Sequence, residues 1–176
     1  MGPGMPNILE EPSSRRCGDF LAAVARSRSL HRPWAAPPNT EKAFAQYLKR
    51  IRNSTHAGYW VRTEDGELAG AITVSEIVRG SFLSGYLGYY AFMPHHHRGY
   101  MTLGLQAVVR KAFHELRLHR LEANIQPENV ASRQLVRRLG FRKEGLSLRY
   151  LKIGGRWRDH ERWALTVEDW SKRGAR

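Results

Sequence analysis

The sequence predicts an α/β fold of the α+β kind: a single domain built on a mixed, mainly antiparallel central sheet flanked by helices. Three observations carry that prediction. The chain begins with helical periodicity, changes in its middle to period-two alternation punctuated by turn residues, and then runs helix, strand, helix and closing hairpin. Its 176 residues, 41% of them hydrophobic, suffice for one core.

Residues 1–14 (MGPGMPNILEEPSS) are rich in Pro, Gly and Ser, lack a sustained apolar period and read as a flexible arm, leaving 15–176 as the folded domain. Asp19 reads as the N-cap of a short helix carrying Phe20, Leu21 and Val24 towards Leu30, where RPWAAPPN ends it. Thr40 caps the next helix, in which Phe44, Tyr47, Leu48 and Ile51 fall at i, i+3, i+4 and i+7. YWVRT, LAGAITVSEIV and FLSGYLGYYAFM, separated by turns at Asp65-Gly66 and Arg79-Gly80-Ser81, read as an antiparallel meander. After Gly99 the helical period returns at Met101, Leu105, Val108, Ala112 and Leu116. The strand RLEANIQ follows, then a helix from about Asn129 to a terminating Gly140. LSLRYLKI and RWRDHERWALTV close the chain as a hairpin turning at Gly154-Gly155.

No apolar run approaches the roughly 18 residues of a membrane span, and the N-terminus lacks a signal-peptide pattern, so the expected location is the cytoplasm, without a membrane partner. Cys17 stands alone, which excludes an intramolecular disulfide and a thiolate metal cluster. The 29 Lys and Arg against 16 Asp and Glu give a net charge of +13. Such a surplus attracts polyanions: a nucleotide-like cofactor, RNA and a ribonucleoprotein surface all fit, and solubility alone also explains a net charge.

Residues 94–104 read PHHHRGYMTLG. The consecutive His95, His96 and His97 point in different directions and have no cysteine or carboxylate cluster nearby, so no metal is expected there. The stretch joins a strand to a helix, where unsatisfied N–H groups and the helix dipole favour an anion. Gly99 lets a backbone approach closely and Arg98 adds a fixed cation, although a glycine at a helix start equally serves turn or packing chemistry. PENVASRQLVRRLGF sets Asn129 and Ser132 on one face of a first helical turn, suited either to a polar ligand or to capping.

HHRGYM, an amphipathic helix and then ANIQPENVASRQLVRRLGF resemble the acetyl-CoA core of the GNAT acyltransferases. The segments IVRGSFLSGYLGYY and YLKIGGRWRDHERWALT resemble the branch that acetylates protein N-termini, the RimJ and RimL ribosomal-protein acetyltransferases, and RimJ more closely. The resemblance implies a GNAT-like fold, acetyl-CoA as co-substrate without a metal, and as acceptor a protein N-terminus, such as that of a ribosomal protein. In the family's phosphate loop a Gln or Arg, two intervening residues, a Gly, one more residue and then a small residue surround backbone N–H groups that hold the pyrophosphate. His96, Gly99 and Met101 take those places, with His97, Arg98, Tyr100 and Thr102 around them, and Gly99 alone matches strictly. Leu103 stands where the RimJ pattern has an acid.

The resemblance further implies that the strand end at Tyr90, Ala91, Phe92 and Met93 splays from its neighbour to pair with the pantetheine amides, the N–H of Phe92 or Met93 meeting the thioester oxygen. Asn129 corresponds to the asparagine on the pantetheine arm, and Arg133 neighbours the cofactor. Val136 replaces the tyrosine that many members use as general acid, which makes Ser132, the alternative of the RimL branch, the catalytic residue. A serine hydroxyl is too weak an acid to give up its proton to a thiolate, so its expected role is hydrogen-bond stabilisation of the sulfur. Glu76, Glu122 and Asp159 are candidates to relay the amine's proton, and each equally suits an ordinary ion pair. An α-amine, with a pKa of about 8, needs less help from a base than a lysine at about 10.4.

Two other readings remain open on the sequence. One is an acetyltransferase for a small amine, an antibiotic or polyamine, which the positive charge disfavours. The other is a non-catalytic RNA- or ribosome-binding module using Arg133, Arg137 and Arg138. Monomer and homodimer both fit.

Overall fold

The computed structural model describes residues 8–174. In chain order they form β1 (Leu9–Glu10), α1 (Cys17–Arg26), α2 (Arg28–His31), α3 (Glu41–Ile51), β2 (Ala57–Arg62), β3 (Leu68–Val78), β4 (Ser84–Ala91), α4 (Tyr100–His114), β5 (Arg120–Ile125), α5 (Val130–Leu139), β6 (Arg142–Ile153), β7 (Arg156–Thr166) and α6 (Val167–Gly174). The strands make one seven-stranded sheet in the order β1-β2-β3-β4-β5-β7-β6. Among the described residues only the β4–β5 pairing is parallel, so the sheet is mixed and mainly antiparallel, as the sequence predicts.

Local chemistry explains most boundaries. Thr40 Oγ1 accepts the Ala43 N–H at 3.1 Å, and the stripe Phe44, Tyr47, Leu48 and Ile51 behind that cap is buried throughout. α1 starts before Asp19 because a 3-10 turn, Ser14–Arg16, feeds it; Asp19 lies in its first turn, where a carboxylate suits the dipole. Gly140 ends α5 with φ 98, and Gly154 and Gly155 turn the β6–β7 hairpin with φ 56 and 80, a conformation that bulkier residues resist.

The sheet separates two cores. On one face α4 and α5 bury Leu105, Val108 and Val136 against Val61, Ile72 and Leu121. On the other, α1 and α3 close an aromatic cluster of Phe20, Phe44, Tyr47, Trp60 and Phe92, with the Phe20 ring 5.6 Å from that of Phe92. α4 lies close against the strands through Gly104, where a Cβ would stand 2.5 Å from Val61 Cγ2.

Three features depart from the sequence reading. Of the expected arm 1–14, residues 1–7 lie outside the described residues, but the rest is ordered. Leu9 and Glu10 pair with Val61 and Trp60, Ile8 is buried, and Arg16 bridges Glu10 at 2.7 Å. A two-residue strand is too short for alternation to register. β6 begins at Arg142, before LSLRYLKI, because its first residues pair with β7 while staying largely exposed. α6, eight residues rich in charge, packs on the core through Val167 and Trp170, one i, i+3 pair, too short a stripe to separate it from the strand before it.

Candidate active site

β4 and β5 form a fork. They pair only over Ser84–Tyr86 and Arg120–Glu122, after which β4 runs on to Ala91 and β5 to Ile125 without pairing. β4 keeps its antiparallel partner β3 as far as Ala91, opposite Gly70, and beyond it the Phe92 N–H donates to Ala69 O at 2.8 Å. In such a ladder alternate residues face alternate edges, so Phe92, Tyr90 and Gly88 turn their backbone groups to β3, and Tyr89 and Ala91 turn theirs into the fork. This corrects the expectation for Phe92 and Met93. The Phe92 N–H is spent within the sheet, and the Met93 N–H donates to Ser27 Oγ at 2.9 Å. Of the three successive amides at 91–93, that of Ala91 faces the open edge, while its carbonyl accepts from His31 Nε2 at 2.7 Å.

The fork leads into the segment that carries the histidines, and neighbouring elements pin that segment. Arg26 Nε donates to Met93 O at 2.6 Å, and the buried His95 meets Glu67 Oε2 through Nε2 at 2.7 Å. The Tyr100 hydroxyl donates to Glu64 at 2.7 Å. The three histidines diverge: His95 is a structural pin, His96 keeps a buried Nδ1 without a partner among the described residues, and His97 is exposed with φ 59. Gly99, at φ 86, is the N-cap of α4 and makes no side-chain cap; the first α4 amide with a helical acceptor is Leu103, bonded to Gly99 O at 3.1 Å. The N–H groups of Tyr100, Met101 and Thr102 therefore converge unspent at the helix start, beside the exposed Arg98. Met101 packs its sulfur on Gly70, where a Cβ would come within 2.2 Å, so this side chain seats the helix on the sheet.

α5 forms the other wall. Asn129 is its N-cap, accepting the Ser132 N–H through Oδ1 at 3.2 Å; capping therefore uses the oxygen and leaves the amide NH₂. Ser132 Oγ lies 2.6 Å from the Tyr89 hydroxyl. Burial pushes the Tyr89 phenol up to about 12, against a smaller opposing pull from Ser132, so the phenol is protonated near neutral pH. Sequence reasoning missed Tyr89, although the alternation in YLGYYA sets it with Leu87 on the α4–α5 face. Val136, the position lacking the family tyrosine, is fully buried.

Other predicted residues are used elsewhere. Arg133 is not a free cofactor contact: Nε sits 3.0 Å from Glu161 and Nη1 donates to Pro127 O at 2.9 Å. Glu161 also takes Lys143 at 2.6 Å and the Trp163 N–H at 3.0 Å, an arrangement that clamps α5 to β7 and β6. Glu76 sits in a bulge of β3, exposed and 3.8 Å from His56, six residues or roughly 20 Å of strand from Gly70. That position removes it from the fork. Glu122 is paired with Arg120 at 2.8 Å, and Asp159 accepts the Arg149 N–H at 2.7 Å.

On the opposite face, a pocket of about 790 Å³ opens between α1–α2, the proline-rich segment before α3, and the tip of the β6–β7 hairpin. It touches the end of β4 through His31, whose ring packs on Tyr90 and Phe92. Burial lowers the His31 pKa more than its Ala91 bond raises it, so the ring is neutral at neutral pH.

A family model described as acetyltransferase (GNAT) domain matches residues 8–142. The ribosomal protein uS5-alanine N-acetyltransferase of Escherichia coli is 42% identical over 173 residues, which cover 93% of this chain and 88% of that protein. A probable N-acetyltransferase, YjcK of Bacillus subtilis, is 35% identical over 130 residues, 73% of this chain and 71% of its own length. Among solved structures, Mycobacterium smegmatis RimJ in complex with CoA-disulfide matches with a TM-score of 0.83 at 27% identity, over 91% of this chain and 81% of that one. RimL, the ribosomal L7/L12 α-N-protein acetyltransferase in complex with coenzyme A, shares the fold with a TM-score of 0.82 at 18% identity, over 94% of this chain and 97% of that one.

Proposed function

The chain belongs to the GNAT acetyltransferase family, and from that premise we propose that it moves the acetyl group of acetyl-CoA to the N-terminal α-amine of a protein, with a ribosomal protein as the acceptor. The observation that carries this reading is the fork of β4 and β5, ending above the uncapped start of α4. An extended, amide-bearing chain with an anion at one end fits it. The unpaired edge of β4 offers backbone partners, and the α4 amides with Gly99 offer an anion cradle that Arg98 reinforces. The unpartnered Nδ1 of His96 is a further group suited to a phosphate oxygen. The hydroxyl of Ser132, held against β4 through Tyr89, and the NH₂ of Asn129 in the cap beside it are suited to the amides of the same extended chain.

Acetyl-CoA supplies an acyl group activated as a thioester. The chain's own groups then divide the work. The Ala91 N–H steadies the carbonyl oxygen as negative charge develops on it, a role worth on the order of 3 kcal/mol. With the Tyr89 phenol as donor in their shared hydrogen bond, the Ser132 hydroxyl is free to point its own at the departing sulfur. Neither group has to ionise. The amine nitrogen bonds to the acyl carbon, the carbon–sulfur bond breaks with its electron pair on sulfur, and the amine's proton leaves through solvent.

Peptides beginning Ala, Ser or Met, offered with acetyl-CoA, should release coenzyme A when their N-terminus is free and not when it is blocked and a lysine lies within. Calorimetry that shows no micromolar binding of acetyl-CoA would sink the reading. Turnover of polyamines exceeding that of every peptide would move it to a small-amine acceptor.

A further inference from the structure

The pocket beyond the end of β4 has an unusual wall. Arg28, Arg32, Arg50, Arg156 and Arg158 line it, brought together from α2 and the residue after it, α3 and the final hairpin, and no Asp or Glu does. Among the described residues none of the five forms an ion pair, whereas Arg16, Arg120, Arg133 and Arg142 elsewhere each hold a carboxylate. Arg158 Nε is buried in the wall without a hydrogen-bond partner among those residues. A desolvated guanidinium donor left unpaired is costly, and an incoming carboxylate would offset that cost. Four of the five arginines are exposed, and cations gathered around one concavity add their fields on whatever enters it.

We infer that this pocket receives an acidic segment: the acceptor is a polypeptide whose residues just behind its N-terminal amine carry Asp and Glu. The inference rests on the acetyl-transfer reading, which brings the amine to Ala91, and adds the charge of the residues behind that amine. His31, bonded to Ala91 O, joins the end of β4 to the pocket, so an amine at the fork leaves its next residues among the arginines. Planar guanidinium groups match carboxylates two oxygens at a time, which lysines do not. A polyamine meets only repulsion there. Single-stranded nucleic acid is disfavoured as well, because no Phe, Tyr or Trp lines the pocket and bases therefore lack a stacking platform. The same cations favour the neutral, attacking form of the bound amine, which lessens the need for a dedicated base.

The test uses the full chain and three peptides that begin with the same alanine and continue with four acidic, four neutral or four basic residues. The acidic peptide should exceed the neutral one in kcat/KM by about tenfold and the basic one by about a hundredfold, with both gaps shrinking as salt rises. Reversing the wall with Arg32→Glu and Arg156→Glu together should turn the preference towards the basic peptide while calorimetry still registers acetyl-CoA. Equal kcat/KM for the three peptides overturns the inference and leaves acetyl transfer standing. If no peptide is acetylated, the acetyl-transfer reading fails; the charge inference is then decided by binding of the same peptides, labelled and N-terminally blocked, and equal affinities overturn it. An eight-nucleotide single-stranded RNA that displaces the acidic peptide at lower concentration than the neutral peptide does would reassign the pocket to nucleic acid and overturn it too.

Discussion

The two sides of the β4 end are built from different materials. Towards α4, the site consists largely of backbone: an unpaired strand edge, a left-handed Gly99 and a run of amides at a helix start. Towards α1–α3 and the final hairpin, it consists of side chains, five arginines drawn from separate stretches of the chain. A backbone cradle tolerates exchange of its side chains and fails when the path of the chain changes. A side-chain pocket behaves the other way round, and that difference can be measured.

The largest effect should come from the backbone side. A Cβ on Gly99 would meet nothing within 4 Å beyond its chain neighbours, so Gly99→Val brings no collision with the core, yet φ 86 is a conformation that a β-branched residue resists. The helix start must shift, and acetyl-CoA affinity should fall by about 100-fold, or ~2.7 kcal/mol. Unchanged affinity by calorimetry would mean that side chains hold the phosphates after all.

α5 depends on side chains for its seat. Burial pushes the Glu161 carboxyl up, but Lys143, the Trp163 N–H and Arg133 outweigh it and hold the group below its ordinary value. A depressed folded pKa adds stability that is full above the unfolded value, 4.5, and is lost as pH falls through the folded one. Glu161→Gln should cost about 2 kcal/mol at neutral pH. Its melting temperature should converge on that of the wild type in acid, and a gap that stays constant with pH would exclude the clamp.

Between the two walls, Ser132→Ala should lower kcat about 20-fold while the KM for acetyl-CoA stays within about twofold, the pattern of a contact made mainly in the transition state. Tyr89→Phe should lower kcat less, and adding it to Ser132→Ala should cost nothing more, because Tyr89 acts through that hydroxyl. Additive losses would separate the two residues.

The same contrast governs how much of the molecule was legible in the sequence. Gly99 and the Asn129–Ser132 pair sit in short contiguous stretches whose spacing survives as a pattern, whereas the splayed strand end is implied by the family resemblance and not by alternation. The thioester contact expected from Phe92 or Met93 missed the open edge, because only the strand register, Gly70 opposite Ala91, decides which amides face outward. Arg133 and Glu76 failed because their partners, Glu161 and His56, lie far along the chain. The arginine pocket joins positions from 28 to 158, and no local pattern announces it.

The smallest expected effects sharpen the comparison most. Arg98 is exposed beside the cradle, so its charge acts through water, and Arg98→Ala should weaken acetyl-CoA binding only about threefold, ~0.6 kcal/mol. Raising the salt should erase even that difference, because the Debye length shortens to about 3 Å at 1 M. His96→Gln keeps a donor in the place where the family carries one and should change affinity by less than about twofold at neutral pH. The backbone account predicts a fixed order of losses, with Gly99→Val far above Arg98→Ala and Arg98→Ala above His96→Gln. If Arg98→Ala instead cost as much as Gly99→Val, and did so equally at high salt, the cradle would be a side-chain site like the pocket opposite, and the two sides of β4 would share one construction.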